Sequence, residues 1–229
     1  MNKQDLYTAV NSYAPYETAE SWDCSGWIVD NSTNNVNRVM LCLTVTDDIV
    51  EQAVKNGCDM IISHHPLFYV PIKYKNINIL CAHTNLDKAE GGTTDRLIEI
   101  LGLSKGEHVG EFLRICEFKT TVKDLSDVLS NVSGNLRLVN NKNINEIHKI
   151  AFCAGSGSEF INEAKENGSD AIVTGDVKFH TALESEIVIF DIGHFESEIP
   201  VLKVFEELIN DKIEVIYAKE NSPFIQIKS

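Results

Sequence analysis

This chain predicts an α/β fold assembled from two pseudo-symmetric copies of one strand–helix–strand unit, with largely parallel sheets. Apolar runs of strand length alternate with stretches whose apolar residues recur at helical spacing, the pattern of sheets flanked by helices. A shift of 111 residues lays the second half of the sequence on the first without a gap. The longest apolar runs are about strand length, so no transmembrane helix is expected.

Residues 2–13 read as a helix with Leu6, Ala9, Val10 and Tyr13 on one face, stopped at Ala14-Pro15. The aromatic segment Ser21-Trp22-Asp23-Cys24-Ser25-Gly26-Trp27 reads as a loop that serves either a core edge or a site. Residues 39–45 form a strand, and Thr46 or Asp47 caps a short helix that ends at Asn56-Gly57. Strands follow at 59–62 and 77–82, then a helix with Leu97, Ile98 and Leu101 inward. Residues 103–146 are more polar and hold one helical stretch (Leu125, Val128, Leu129, Val132) and one short strand, 136–139. From Ile147 the first pattern returns, with strands at 150–154, 170–173, 187–192 and 213–217. One helix ends at Asn167-Gly168; another carries Val201, Val204, Phe205, Leu208 and Ile209, with Pro200 in its first turn.

The internal shift carries Cys42 to Cys153, Ala53 to Ala164, Asn56-Gly57 to Asn167-Gly168 and Asp59 to Asp170. It also carries Leu97-Ile98 to Leu208-Ile209, His83 to His194 and Asp87 to Glu198. One register kept over this length defines repeats 36–105 and 147–216, joined by 106–146 within a single structural unit, 1–229.

At 229 residues, with 43% hydrophobic and 24% charged residues, the chain has ample material for a core. A net charge of −14, with no basic run or pattern of stacking aromatics, argues against a nucleic-acid partner. Met1-Asn2-Lys3-Gln4-Asp5 lacks the basic and apolar regions of a signal peptide, so a cytoplasmic address is expected. Six cysteines are scattered without C-x-x-C spacing, and Cys42, Cys81 and Cys153 sit in strand-like runs, which suits buried reduced thiols.

Ser63-His64-His65-Pro66 ends the apolar run Met60-Ile61-Ile62. Two adjacent histidines at a strand end are hard to explain as packing, and histidine is the commonest metal ligand. Strand alternation would point them apart, which suits one histidine on each of two neighbouring ions better than both on one. His64, His65, His83, Asp87, His194 and Glu198 all follow strands directly, at the carboxyl edge where α/β sheets bind ligands. His83 to Asp87 and His194 to Glu198 have i, i+4 spacing, which puts each pair on one face where the stretch is helical. Three histidine nitrogens and two carboxylates, with Glu198 bridging, would give two ions roughly three bonds each and leave positions open for water. Such mixed donors suit Zn, Mn, Fe, Co or Ni. Asp176 and His180 are candidates for a supporting or proton-relay role, and Gly155-Ser156-Gly157-Ser158 reads as a tight turn or a phosphate cradle.

Four strings carry a family resemblance: Ile62-Ser63-His64-His65-Pro66, Ala82-His83-Thr84-Asn85-Leu86-Asp87, Thr174-Gly175-Asp176-Val177-Lys178-Phe179-His180 and Gly193-His194-Phe195-Glu196-Ser197-Glu198. Together and in order they resemble the NIF-three-like dinuclear metal proteins, a family also named GTP cyclohydrolase 1 type 2. The resemblance covers nearly the whole chain. It implies two intertwined α/β repeats and a ring-shaped homohexamer. It also implies two divalent metal ions per chain on His64, His65, Asp87, His194 and Glu198, the glutamate touching both. His83 is not a ligand in that pattern and stands as a candidate acid/base, with His180 behind it. Trp22-Asp23-Cys24-Ser25-Gly26 looks like the family's early W-D-N-x-G motif, with Cys24 where asparagine is usual, and Thr44 stands where many members have aspartate. The implied function is a metal-dependent hydrolase that opens a purine ring or acts on a related anionic small molecule. The alternative is a metal-binding regulatory or scaffold protein that acts through its ring without turnover.

Overall fold

In the computed structural model, residues 1–209 and 213–225 are described. Helix α1 (Lys3–Tyr13) starts with a reciprocal cap, in which Asn2 accepts from the Gln4 N–H and Asp5 accepts from the Asn2 N–H. Strands β1 (Gly26–Val29) and β2 (Arg38–Cys42) lead to α2 (Asp47–Lys55), capped by Thr46 on the Ile49 N–H. Next come β3 (Met60–Ser63), β4 (Asn78–Cys81), α3 (Thr84–Lys88) and α4 (Thr93–Ile100). The middle of the chain forms β5 (Glu107–Val109), β6 (Leu113–Thr121), α5 (Val122–Ser130) and β7 (Arg137–Val139). The second half adds β8 (Glu146–Phe152), α6 (Ile161–Glu166), β9 (Ala171–Thr174), α7 (Phe179–Glu184) and β10 (Val188–Asp191). It closes with α8 (His194–Glu198), α9 (Leu202–Leu208) and β11 (Glu214–Tyr217).

These elements gather into two compact units. One comprises residues 1–92 with 201–209 and 213–221, the other 93–200 with 222–225. The first holds a five-stranded sheet in the order β1-β4-β3-β2-β11, parallel except for β1. The second holds a six-stranded sheet in the order β5-β6-β8-β9-β10-β7, in which β8, β9 and β10 are parallel and the rest antiparallel. The run β1-β4-β3-β2 in one sheet matches β7-β10-β9-β8 in the other, so the mostly parallel, mixed α/β architecture read from the repeat is present. Residues 210–212 of the second repeat lie outside the described residues.

The repeats are intertwined through one exchange. Helix α4, from the first repeat, joins the second unit, where Leu97 and Ile98 pack with Leu125, Leu129, Ile150 and Phe152. Its counterpart α9 joins the first unit and packs on α1 and β2.

Two expectations need correction. Trp27 lies in β1, not a loop, because residues 26–29 pair antiparallel with β4. The 103–146 region holds three strands, not one. β5 escapes a hydrophobicity reading because Glu107 and His108 are polar and exposed, and β6 because Arg114, fully buried and paired through Nε with Asp95 at 3.1 Å, breaks the apolar pattern. Cys42, Cys81 and Cys153 are buried and form no disulfide. Among the described residues, no helix is long and apolar enough to cross a membrane.

Candidate metal centre

In the first unit, β3 ends at Ser63, and His64 and His65 follow in a bend. The pleat stops before them, so the expectation that they point apart fails. Their ring centroids are 5.2 Å apart. His83 caps the start of α3 and brings its ring to 5.2 Å from His64 and 5.7 Å from His65. One nitrogen from each of the three lies within 4.8 Å of the others, close enough to share one ion.

Each ring is held at Nδ1 by a different oxygen. His64 Nδ1 lies 2.9 Å from the Ala82 carbonyl, His65 Nδ1 2.6 Å from the Thr44 hydroxyl and His83 Nδ1 3.1 Å from Asp23 Oδ1. A carbonyl and a carboxylate can only accept, which puts the proton of His64 and His83 on Nδ1 and leaves Nε2 as the lone-pair atom. His64 is fully buried, and its Nε2 stands 3.4 Å from Asp87 Oδ1.

The Trp22–Gly26 stretch supplies the support of His83. Asp23 has a wholly buried carboxylate that accepts from the N–H of Cys24 and Thr84 and from the hydroxyls of Ser25 and Thr84, as well as from His83. Burial alone would raise its pKa, but the hydrogen bonds from His83, Thr84 and Ser25 win and hold it well below the usual carboxylate range. Trp22 meets the His83 ring edge-on at 5.9 Å. Thr44 keeps an oxygen on His65. Its loop is clamped from the far end of the unit, where the Glu220 carboxylate accepts from the Leu43 N–H at 2.6 Å and the Thr44 N–H at 3.4 Å.

In the second unit, His194 opens α8 and Glu198 stands one turn on, so the i, i+4 spacing does put both on one face. His194 Nδ1 lies 2.8 Å from Asp176 Oδ2, and its Nε2 lies 2.9 Å from Glu198 Oε2. Burial disfavours the imidazolium, but Glu198 and then Asp176 outweigh it and push the His194 pKa up to about 9. Asp176 takes a left-handed backbone at φ 55°, a conformation aspartate tolerates better than most residues. Gly155, at φ 69°, is required, because a β-carbon there would overlap the Glu198 carboxylate.

The Gly155–Ser158 loop is a tight turn and not an open cradle. Its two glycine amides are used internally, Gly155 N–H on the Ser197 hydroxyl and Gly157 N–H on the Thr174 hydroxyl. His180 lies exposed on α7 with its ring edge-on to Phe179 at 5.3 Å, while Asp176 is the residue of that region that reaches His194.

The donor set fits a cation in both units. In each, a histidine fixed at Nδ1 by an oxygen turns Nε2 toward a carboxylate. Two lone-pair atoms at such distances need a proton or a cation between them, and an oxygen behind the far ring nitrogen is the usual support of a metal-bound histidine. The sequence marked the histidines and carboxylates. It did not mark Glu220, whose partners are 176 and 177 residues away.

Comparison with known proteins identifies the family. A family model described as Duf34/NIF3 (NGG1p interacting factor 3) matches residues 1–227. A Clostridium perfringens protein named GTP cyclohydrolase 1 type 2 homolog is 32% identical, covering 98% of this chain and 99% of its own. A Helicobacter pylori protein named GTP cyclohydrolase 1 type 2 is 29% identical over 90% of this chain and 91% of its own. Among solved structures, a Bacillus cereus protein related to NIF3 has 20% identity and a TM-score of 0.82, with 99% of each chain covered. A family match over nearly every residue and a shared fold lead to one conclusion: the chain belongs to the Duf34/NIF3 family.

Proposed function

We propose that the chain is a metal-dependent hydrolase with two divalent cations, which His64, His65, Asp87, His194 and Glu198 would hold. The observation that carries this reading is the repeated facing of histidine Nε2 and carboxylate oxygen, at 3.4 Å for His64 and Asp87 and 2.9 Å for His194 and Glu198. Cations of the Zn, Mn, Fe, Co or Ni type among such donors supply an activated water, of pKa about 7, and polarise an electrophile.

The other roles fall to the chain itself. Asp23 keeps the proton of His83 on Nδ1, which leaves Nε2 to take up a proton and return it to a leaving nitrogen. Ala82, Thr44 and Asp176 hold the remaining rings in one orientation. The name carried by the relatives points to a purine nucleotide, GTP, as substrate, and the atom we assign to attack is its C8. A ring-shaped homohexamer in the cytoplasm completes the proposal. The exposed apolar run Phe68, Tyr69, Val70 and Ile72 is surface that such an assembly would cover.

The test is reconstitution with each of the five metals, followed by elemental analysis and a turnover screen over nucleotides and phosphoesters. Two ions per chain and turnover are expected, both lost in Glu198→Ala. Full metal content without turnover on any substrate would favour the regulatory or scaffold alternative.

A further inference from the structure

The second unit contains a pocket of about 470 Å³, lined by residues of the β7 edge, the start of α8 and residues 224–225. Its size falls within the roughly 300–1,000 Å³ typical of small-molecule sites. His194 and Asp176 contribute to its lining, as do Arg137, Leu136, Phe224 and Ile225. Phe224 and Ile225 are 70% and 87% exposed, so two adjacent apolar side chains stand in solvent at the rim of a concavity.

Arg137 is anchored at one end only. Its Nη2 donates to the Asp191 carboxylate and, at 3.3 Å, to the Val177 carbonyl. Asp191 is buried and also accepts from the N–H of Val177 and Gly193, so its charge is committed inward. Asp176, the other lining carboxylate, is engaged with His194. The Arg137 side chain is nonetheless 64% exposed, and its Nε and Nη1 N–H groups have no acceptor among the described residues. An immobilised guanidinium with donors to spare suits a carboxylate or phosphate. A neighbouring exposed aromatic ring offers a face to a base.

We propose that this pocket binds the substrate of the neighbouring centre as a nucleotide, with Arg137 on the phosphate and Phe224 against the ring. The choice of substrate rests on the hydrolase reading, while the pocket's chemistry stands on these residues alone.

Calorimetric binding of GTP, guanosine and inorganic triphosphate tests it, with metal content measured on every sample. Arg137→Gln is expected to weaken GTP and triphosphate roughly 10- to 100-fold, the scale of one hydrogen bond to a charged group, and to leave guanosine unchanged. Arg137→Lys keeps a cation against Asp191, so the fold is protected, yet it should lose most of the same affinity because an ammonium has no fork. Phe224→Ala, at an exposed position, should weaken GTP and guanosine about 5-fold or more and spare triphosphate. Failure of GTP to bind the wild type, or equal binding by all four proteins, overturns the pocket. GTP bound through Arg137 but never hydrolysed by metal-loaded protein leaves the pocket standing and removes the hydrolase reading instead.

Discussion

Gly155 and Glu198 occupy adjoining space so closely that any β-carbon on Gly155 would meet the Glu198 carboxylate. Gly155→Ala is therefore expected to displace the carboxylate and lower metal content. It should also cost about 1–3 kcal/mol through its positive φ. Denaturant midpoints and elemental analysis check both effects, and an alanine variant with full metal content would contradict the role given to Glu198.

Asp176 acts on His194 through Nδ1 and is itself 47% exposed, so its loss should spare the fold. Asp176→Asn, which tolerates the same left-handed backbone, should weaken metal binding by roughly 10- to 100-fold, the usual effect of removing a partner behind a metal-bound histidine. Competition against a chelator measures this, with the Tm expected to stay near wild type in metal-free protein.

His83→Ala separates proton transfer from ligation. If His83 only moves protons, both ions remain and the rate on the true substrate falls by ~10²-fold or more. Loss of an ion would make His83 a ligand, an outcome its 5.2 Å ring separation from His64 makes worth measuring. An unchanged rate would pass the role to His180.

The buried Asp23 carboxylate sets a pH dependence. Its pKa is lowered on folding, so the stability it contributes is fully present above its unfolded value near 4 and is lost as pH falls toward its lower folded value. Asp23→Asn should cost about 1–3 kcal/mol at pH 7, from disruption of the buried hydrogen bonds. The gap from wild type should narrow progressively below pH about 4. A gap constant from pH 7 to 2 would argue against this source of stability.

Assembly is open to direct measurement. Light scattering should give six times the 25.6 kDa chain mass, and a double change of Phe68 and Tyr69 to serine should lower it. Both side chains are already exposed in the single chain, so the variant should fold. A monomer in wild-type protein at micromolar concentration would refute the hexamer.

The legible parts of this chain were those encoded locally or by repetition. The match of Asp59-Met60-Ile61-Ile62 to Asp170-Ala171-Ile172-Val173 located β3 and β9, and the His-x-x-x-acid spacing put each pair on one face on the condition of helix, a condition α3 and α8 meet. Strand β1 was hidden because four residues beginning with Gly-Trp carry too little pattern, and β6 because its buried Arg114 counts as polar in any hydropathy reading. In the candidate centre, the ligand types announced themselves, but the groups that aim them did not. Thr44 is 21 residues from His65, Asp23 is 60 from His83, and nothing in a run of residues encodes such pairings. The alternation rule misled at His64-His65 because it was extended past the last hydrogen-bonded residue of the strand.

The exchange of α4 for α9 also dictates an order of assembly during synthesis. Residues 93–200 leave the ribosome as a continuous block, so the second sheet has all its strands before α9 and β11 exist. The first sheet, although translated earlier, must wait for them. Until β11 arrives, β2 is an open edge, and Val39, Met40 and Leu41, fully buried in the finished protein, lack their outer neighbour. The sheet whose first strands are made earliest is thus the one completed last.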